Sequence, residues 1–361
     1  MHLGIVELCE KNHHSMIYNW IKIANINNWK ITLFTTEKIF KNVENEIKEL
    51  NFELVLQNEN TFIFLKNMKQ KYKDEKIDKI IFLSITCGFL PLLFTSFKGI
   101  NFGITIHNAN VWFKNNTIRK MSHILKRFIR KRLKNQASFF IVNSNNMKNY
   151  IEENFRISKP LYVLPFSLKK SEYEKTSNYS FTVVYPGSVN VARKKYDNFI
   201  KLAQNNKNDK FILLGSYVVG KDNEDIFKKM KELSNIEVFE SYVPLELFDE
   251  IISKADLLFS DIVVDFNLSD LSEIYGVTKD SGISYLMIQF NKLSLLNKEF
   301  INLMELEQSS IYFSNYEELV NKYNNLKENK IAIVEQESLQ RLDTENFTVA
   351  YYADIFKELD L

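Results

Sequence analysis

The sequence predicts an α/β protein with two doubly wound parallel-sheet domains that face each other across a cleft. Short apolar runs alternate with stretches of helical periodicity along nearly the whole chain, a pattern typical of repeated βα units. A polar stretch at residues 167–180 divides this alternation into two series of similar length. The length of 361 residues also favours two domains, at about 150 residues for each.

The first series predicts a Rossmann-like domain over residues 1–168. Apolar residues recur at helical spacing between most of its strands, as at Ile17, Ile21 and Ala24. Since helices separate the strands, the sheet is expected to be mostly parallel. The strands are predicted at 3–8, 31–35, 52–56, 80–83, 102–106, 138–142 and 161–164.

One segment of this domain, residues 80–97, contains 18 residues without a charge, near the lower limit for a membrane-spanning helix. Gly88 and Pro91 interrupt it, and six of its residues are polar, Gly or Pro. These breaks favour a buried strand, a turn and a buried helix over a membrane span.

The second series follows a predicted linker at 169–180 and predicts another Rossmann-like domain over 181–342. Its strands are predicted at 181–185, 210–214, 236–239, 256–259 and 293–296, with one more suggested at 311–313. Helices are predicted near 196–203, 225–233, 245–254, 282–289 and 316–326. The tail 343–361 predicts a last helix with Phe347, Tyr351, Ile355 and Leu359 on one face.

Composition excludes several classes of protein. A hydrophobic share of 45% and a charged share of 25% exclude wholesale disorder. A net charge of +2 gives no global case for nucleic-acid binding. Cys9 and Cys87 lie far apart and no cysteine–histidine cluster has zinc spacing. The first residues lack the pattern of a signal peptide, so a cytoplasmic location is expected.

Residues that follow the strands of the first domain are candidates for a ligand site. Ligands of open α/β sheets bind beyond the carboxyl ends of the strands. His13 and His14 follow the first strand, and His107, Asn108 and Asn110 follow the fifth. An imidazole at His107 can donate to a sugar hydroxyl or exchange protons. The alternative is a structural histidine bonded to a loop carbonyl.

The segment after the first strand of the second domain suits a phosphate-bearing ligand. Gly187 and Ser188 form a turn, and Arg193, Lys194 and Lys195 supply three consecutive cations. The pattern is not a P-loop. A solvated basic start of a helix is the alternative.

The segment 273–282 is the most informative in the chain. Gly276 allows backbone approach to a ligand, and Thr278 or Ser281 can cap the next helix, whose N-terminus favours a phosphate. Glu273 can accept hydrogen bonds from sugar hydroxyls. The alternative is a capped helix after an acidic loop.

The stretch 114–134 carries nine cations interleaved with apolar residues. A basic amphipathic helix is expected to contact anionic lipid or a phosphorylated acceptor; a solvated basic face is the alternative. The cations assigned to this membrane or acceptor patch are Lys126, Arg127, Arg130, Lys131 and Arg132.

Several of these segments resemble the GT-B glycosyltransferases, most nearly the large retaining glycosyltransferase family 4. Glu273 with Gly276 is similar to the start of the family's E-x7-E donor motif, and His107 falls where the family has a histidine near the transferred sugar. Ser281 stands at the place of the second Glu, and Ser188 at that of the motif Arg. Arg193 falls at the place of the motif Lys. The other similar segments are 140–144, 164–167, 238–244 and 254–260.

The resemblance implies a GT-B fold with a C-terminal helix returning to the first domain, and a UDP- or GDP-linked sugar as donor. It implies that His107 and Glu273 are catalytic, with no metal or other cofactor and no nucleic acid as partner. The implied diphosphate-binding residues are Gly187, Ser188, Arg193, Lys194, Gly276, Val277, Thr278 and Ser281. The implied nucleoside-binding residues are Gly215, Tyr242 and Val243, and the acceptor side consists of His13, His14, Asn108 and Asn110.

The expected function is a hexosyltransferase-type glycosyltransferase that extends a glycan or lipid-linked acceptor in surface polysaccharide biosynthesis. It is expected to be retaining, metal-independent and located in the cytoplasm, with peripheral contact at the inner face of the membrane. One alternative is a sugar-nucleotide epimerase on the same fold. Another is a non-catalytic sugar-nucleotide-binding subunit.

Overall fold

A computed structural model describes residues 1–9, 14–85, 89–114, 121–169, 180–268, 271–328 and 345–358. These residues form two α/β domains whose main sheets contain seven and six strands. The predicted fold class is therefore confirmed. Residues 170–179 of the predicted linker lie outside the described part of the chain.

The sheet of the first domain is parallel throughout, in the order β3-β2-β1-β4-β5-β6-β7. The first strand of the chain pairs on both sides, with Ile5 opposite Leu33 and Ile81. All seven predicted strands are present. They are β1 (His2–Glu7), β2 (Lys30–Thr35), β3 (Glu53–Leu56), β4 (Lys79–Phe82), β5 (Phe102–Ile106), β6 (Phe139–Val142) and β7 (Leu161–Val163).

Helices cover both faces of this sheet. Thr36, Asn60 and Ser144 each accept a backbone N–H three residues ahead and so begin α2, α3 and α7, as N-cap residues do. The helices are α1 (His14–Ile26), α2 (Glu37–Ile47), α3 (Thr61–Asp74), α4 (Phe89–Phe94), α5 (Ala109–Phe113), α6 (Met121–Gln136) and α7 (Asn145–Asn154).

The second domain has a parallel six-stranded sheet in the order β10-β9-β8-β11-β14-β15. β12 and β13 form a separate antiparallel hairpin that was not predicted. The strands are β8 (Thr182–Pro186), β9 (Lys210–Leu214), β10 (Ile236–Val238), β11 (Leu257–Ser260), β12 (Asp265–Leu268), β13 (Leu271–Ile274), β14 (Ser294–Asn297) and β15 (Ser310–Phe313). The helices are α8 (Asp197–Asn205), α9 (Lys221–Lys231), α10 (Leu245–Lys254), α11 (Gly282–Phe290) and α12 (Tyr316–Glu328).

A last helix, α13 (Val349–Glu358), returns to the first domain and packs on α1. The Trp20 and Phe356 rings lie 4.9 Å apart, and Asn27 Nδ2 donates to the Ala353 carbonyl at 2.8 Å. The buried face is Tyr352, Ala353 and Phe356, whereas Tyr351 is exposed. The predicted face is therefore wrong at Tyr351, whereas Phe347 is buried and Ile355 packs against the same core as Tyr352, as predicted. Leu359 lies outside the described residues.

The uncharged segment 80–97 forms part of β4 and the short helix α4, as predicted. The helix is only partly buried, however, since Leu92 lies in the core while Leu90 and Phe94 are 53% and 68% exposed. None of the helices in the described ranges combines the length and the apolar character needed to span a membrane.

Candidate functional site

A cavity of about 510 Å³ lies between the two domains at the carboxyl ends of their sheets. The first domain contributes the start of α1 at Ser15, and Phe166 and Ser167 after β7. The second domain contributes the segments after β8 and β11 and one side of α11. This is the position at which open α/β sheets bind ligands.

Two cations form one wall of the cavity. The Arg193 guanidinium lies 5.3 Å from the centre of the Phe266 ring. Lys194 Nζ donates to the carbonyls of Pro186 at 2.7 Å and Gly187 at 2.8 Å. Burial lowers the pKa of Lys194 to about 7. The wall therefore combines a permanent charge with one that titrates near neutral pH.

The turn beneath these cations depends on two glycines. Gly187 has φ +88°, in the left-handed region, and its N–H donates to the Leu214 carbonyl at 2.7 Å. A Cβ on Gly215 would lie 2.7 Å from the carbonyl carbon of Gly187. Gly215 was predicted to bind a nucleoside, but it packs against the turn and is not among the residues that line the cavity.

The start of α11 forms another wall. Ser281 precedes the helix, and Gly282 and Ile283 begin it, all three lining the cavity. The first N–H groups of a helix have no partner within the helix and carry partial positive charge. Together with Arg193 and Lys194, this end of α11 makes the cavity suited to an anion.

The structure thus brings five of the predicted residues together around one cavity: Gly187, Ser188, Arg193, Lys194 and Ser281. Sequence reasoning missed other lining residues, notably Asn190, Tyr275, Tyr285 and Gln289. Tyr285 and Gln289 are four residues apart on α11, so they share a face with its first turn. That spacing was the signal for them.

Within the segment 272–280, Tyr275 lines the cavity. The segment mainly joins the two domains. We call its contacts with residues 109–111 and 144–150 the domain joint. It consists of polar contacts between β13 with its following turn and the helices α5 and α7. Four of its hydrogen bonds are Ala109 N to Thr278 O (2.8 Å), Asn110 Nδ2 to Ser272 O (2.7 Å), Ser144 Oγ to Asp280 Oδ1 (2.7 Å) and Asn146 Nδ2 to Gly276 O (2.9 Å).

Glu273 lies at the centre of the domain joint and is fully buried. Its carboxylate accepts the N–H of Val111 at 2.8 Å and that of Asn110 at 3.4 Å. Burial raises the pKa of Glu273, and the nearby Lys279 charge opposes that shift. The carboxylate therefore caps the start of α5, and Glu273 is not among the residues that line the cavity, which favours a structural role over the predicted contact with a sugar.

The turn after Glu273 also belongs to the domain joint. Gly276 has φ +83°, and a Cβ there would lie 1.8 Å from the Ile301 carbonyl oxygen. Thr278 Oγ1 accepts the Ile274 N–H at 2.7 Å. Gly276, Val277 and Thr278 were predicted to hold a diphosphate, but none of them lines the cavity. Their polar groups fold the turn and join the domains.

His107 lies behind the cavity wall, with its ring centre 6.3 Å from that of Phe166. Its Nδ1 is 2.8 Å from Asn143 Oδ1 and its Nε2 is 2.7 Å from the Leu83 carbonyl. Burial lowers the pKa of His107 to about 4. A neutral imidazole has one N–H and donates to one of these oxygens. This geometry favours the structural alternative over direct contact with a ligand in the cavity.

The remaining residues predicted for the acceptor side and for nucleoside binding lie apart from one another in the structure. Asn108 precedes α5, and the Asn110 side chain belongs to the domain joint. Tyr242 is exposed and Val243 is buried in the core, and neither lines the cavity. His13 lies outside the described residues, as does the side chain of His14, whose backbone begins α1.

The predicted basic patch on α6 needs one correction. Arg130 points inward, where burial lowers its pKa to about 10 and the Glu273 charge opposes the shift. Lys131 is exposed, while Lys126, Arg127 and Arg132 are half-buried. Arg130 faces inward because it shares a stripe of the helix with the fully buried Ile129 and Leu133.

The sequence predicted no metal site. Over the described ranges, no group of three His, Cys, Asp or Glu side chains has an arrangement suited to a metal ion.

Residues 27–166 match the family model described as Glycosyltransferase Family 4. This match covers most of the first domain and confirms the resemblance predicted from the motifs. No curated protein sequence matches the chain.

Several solved structures share the architecture over nearly the whole chain. A glycosyltransferase from Rickettsia africae ESF-5 aligns with a TM-score of 0.66 and 14% identity, over 99% of this chain and 97% of that one. Anabaena HepE, in complex with UDP and glucose, aligns with a TM-score of 0.65 and 14% identity over 99% of both chains. The UDP-GlcNAc 2-epimerase from Neisseria meningitidis, bound to UDP-GlcNAc, aligns with a TM-score of 0.59 and 12% identity over 99% of both. These similarities show that the chain has the GT-B fold.

Proposed function

We propose, from a GT-B fold whose first domain matches Glycosyltransferase Family 4, that the chain is a hexosyltransferase-type glycosyltransferase. It transfers a sugar from a UDP- or GDP-linked donor to a glycan or lipid-linked acceptor in surface polysaccharide biosynthesis. The observation that carries this proposal is the cavity between the domains, with Arg193, Lys194 and the start of α11 on its walls. Three sources of positive charge at one place suit a nucleoside diphosphate.

The same groups account for a mechanism that needs no metal. As the bond to the transferred sugar breaks, negative charge grows on the departing diphosphate. Arg193 and Lys194 would stabilise that charge, with the N–H groups at the start of α11 as further donors. Charge stabilisation by groups already in place is commonly the largest catalytic contribution. A retaining outcome is proposed from the family resemblance.

The acceptor would enter from the side of the first domain, where Ser15, Phe166 and Ser167 line the cavity. His107 supports Phe166 from behind, and Glu273 holds α5 against the second domain. We assign both as positioning residues rather than groups that touch the sugar. A lipid-linked acceptor would place the protein in the cytoplasm at the inner face of the membrane, with Lys126, Arg127, Lys131 and Arg132 towards anionic lipid.

Calorimetric titration with UDP, GDP and the bare nucleosides tests the donor site first. One diphosphate is expected to bind more tightly than its nucleoside, and the corresponding nucleotide sugars are then incubated with lipid-linked acceptors. Binding without transfer to any acceptor would favour the non-catalytic alternative. Failure to bind either diphosphate would contradict the proposed donor site.

An epimerase needs a separate test because two structural neighbours are described as UDP-GlcNAc 2-epimerases, one of them as putative. Proton transfer at a sugar carbon needs acid–base groups in the cavity. Among the described residues that line the cavity there is no Asp, Glu or His, and the ammonium of Lys194, whose pKa lies near 7, donates to two backbone carbonyls. A nucleotide sugar incubated without acceptor is therefore expected to stay unchanged in its NMR spectrum, whereas a new epimer would support the alternative.

Diphosphate affinity is expected to fall as the pH rises from 7 to 9. The pKa of Lys194 is about 7 in the free protein, and a bound diphosphate raises it by stabilising the ammonium form. Binding then takes up a proton, so affinity decreases by up to about tenfold per pH unit. Calorimetry in two buffers of different ionisation enthalpy measures the uptake. Lys194→Met should bind more weakly with a flatter profile, and equal affinities at pH 7 and 9 in the unmodified protein would contradict the assignment.

Glu273→Gln is expected to lower stability and transfer activity together. The substitution replaces the charged carboxylate that accepts the Val111 and Asn110 N–H groups by a neutral amide. We expect this to lower the free energy of unfolding by about 1–3 kcal/mol. Urea unfolding and transfer rate on one preparation measure both. Glu305→Gln is the matched control, since Glu305 also bonds across the domains, to Asn145, but at an exposed position. Loss of transfer at unchanged stability would instead place Glu273 in direct contact with the sugar.

A further inference from the structure

Three neighbouring helices of the first domain expose apolar side chains on one surface. α4 packs against both α3 and α6, and the rings of Phe62 and Phe94 lie 6.2 Å apart across the α3–α4 contact. We call this surface the apolar face. It comprises Phe62, Ile63, Leu90, Phe94, Met121, Ile124, Leu125 and Phe128. These are eight of the eighteen large apolar side chains that are exposed in the described ranges, so exposure is concentrated here.

The apolar face is distinct from the core side of the same helices. On α6, residues 121, 124, 125 and 128 form one stripe at helical spacing, while Ile129 and Leu133 on another stripe are fully buried. Met121 is 79% exposed and Phe128 is 59% exposed. The core accounts for the burial of the second stripe, whereas the first stripe stays exposed in the described part of the domain.

The charge around the α4 and α6 part of the apolar face has one sign. Between Asp78 and Glu152 the chain contains no acidic residue and twelve Lys or Arg residues. Lys66 lies four residues after Phe62 on α3, Lys131 lies three after Phe128 on α6, and both are exposed. Residues three or four apart on a helix are neighbours on its surface, so these lysines border the apolar side chains.

We propose that the apolar face inserts into the interface of an anionic lipid bilayer, with the bordering lysines at the headgroups. This inference rests on the proposed function and deepens it: membrane contact would come from apolar insertion by α3, α4 and α6, not from the basic residues of α6 alone. Apolar side chains within a basic border are the pattern of segments that lie in a membrane interface. A second copy of the chain is a poorer occupant, because two such faces would bring like charges together.

A tryptophan at the apolar face tests the insertion directly. Phe94→Trp is titrated with vesicles of phosphatidylglycerol and phosphatidylcholine, and with phosphatidylcholine vesicles alone. With the anionic vesicles we expect a blue shift of the added emission and quenching by lipids brominated in their acyl chains. The unmodified protein, with its three native tryptophans, supplies the background.

Paired variants separate insertion from simple charge attraction. Leu90→Ser with Phe94→Ser is expected to weaken vesicle binding by more than about tenfold, and Lys66→Gln with Lys131→Gln by about fivefold for each lysine. Leu245→Ser with Leu247→Ser removes two exposed apolar side chains from the second domain and should leave vesicle binding unchanged. High salt should reduce binding of the unmodified protein without abolishing it.

Three results would overturn the inference. These are vesicle binding that the Leu90 and Phe94 changes leave intact, an emission that does not shift, or a dimer in sedimentation that those changes dissociate. UDP and GDP titrations on the same preparations keep the proposed function separate. Vesicle binding without diphosphate binding would contradict the donor site and support the apolar face, and the reverse would contradict the apolar face alone.

Discussion

Arg193→Ala is expected to weaken nucleoside diphosphate binding by about 1.5–3 kcal/mol, the range for a hydrogen bond to a charged group. That loss corresponds to roughly 10–150-fold in Kd. The guanidinium lines the cavity beside Lys194 and is held over the Phe266 ring. Calorimetry with the diphosphate and the bare nucleoside measures the effect. Only the diphosphate should lose affinity, because the nucleoside carries no phosphate for Arg193 to contact.

Lys195→Ala is the matched control for this change. Lys195 is the next cation but one, its side chain is 46% exposed, and it lies 3.4 Å from Glu299, outside the cavity lining. Exposed ion pairs contribute about 0–1 kcal/mol, so its removal should change affinity little. If Arg193→Ala weakens the binding of the diphosphate and of the nucleoside equally, Arg193 does not contact the phosphates.

Gly276→Ala is expected to lower the free energy of unfolding by about 3 kcal/mol or more, among the largest effects of a single substitution. Alanine at φ +83° adopts a left-handed conformation, which costs about 1–2 kcal/mol. Its Cβ would also lie 1.8 Å from the Ile301 carbonyl oxygen, so backbone must move. That movement displaces the Gly276 carbonyl, which accepts from Asn146 in the domain joint.

Urea unfolding of Gly276→Ala beside Gly282→Ala measures this effect against its control. A Cβ on Gly282 meets no atom within 4 Å and the residue begins α11. Alanine there is expected to be neutral or to stabilise by up to about 1 kcal/mol, from its better helix propensity. Equal unfolding free energies for the two variants would show that the turn at Gly276 accommodates a side chain.

The strands were predictable because their signal is local. Runs such as Ile80 to Leu83 and Phe211 to Leu214 are apolar, begin after a lysine, end before a Ser or Gly, and are separated by stretches of helical periodicity. The β12–β13 pair was missed because the sequence between the strands, Ser269-Asp270, lacks the Gly, Asn-Gly or Pro that marks short connections. Buried and exposed side chains alternate in this pair, with Phe266, Leu271 and Glu273 buried and Asp265 exposed. The acidic residues among them are typical of a loop, so the alternation was not recognised.

The candidate site was predictable where neighbours in sequence build it. Arg193 and Lys194 follow a glycine turn directly after β8, so position alone indicated the cavity. The place of Glu273 was not predictable in the same way. Its partner, the Val111 N–H, is 162 residues away. A buried carboxylate can bind a ligand or cap a helix, and which of the two occurs depends on how the two domains pack. No local sequence pattern predicts that packing.

The return of α13 to α1 has a consequence for how the protein emerges during synthesis. Trp20 and its neighbours on α1 are made early, yet the ring that covers them, Phe356, comes from the other end of the sequence. Ribosomes add about 5–20 residues per second, so the nascent first domain would wait roughly 10–40 s with this apolar surface uncovered. Domains generally fold as they are translated. The first domain, however, gains its last helix, α13, only after the second domain has been synthesised. We therefore expect the nascent first domain to be prone to aggregation through this surface, and a chain that ends before residue 349 would keep the surface of α1 uncovered.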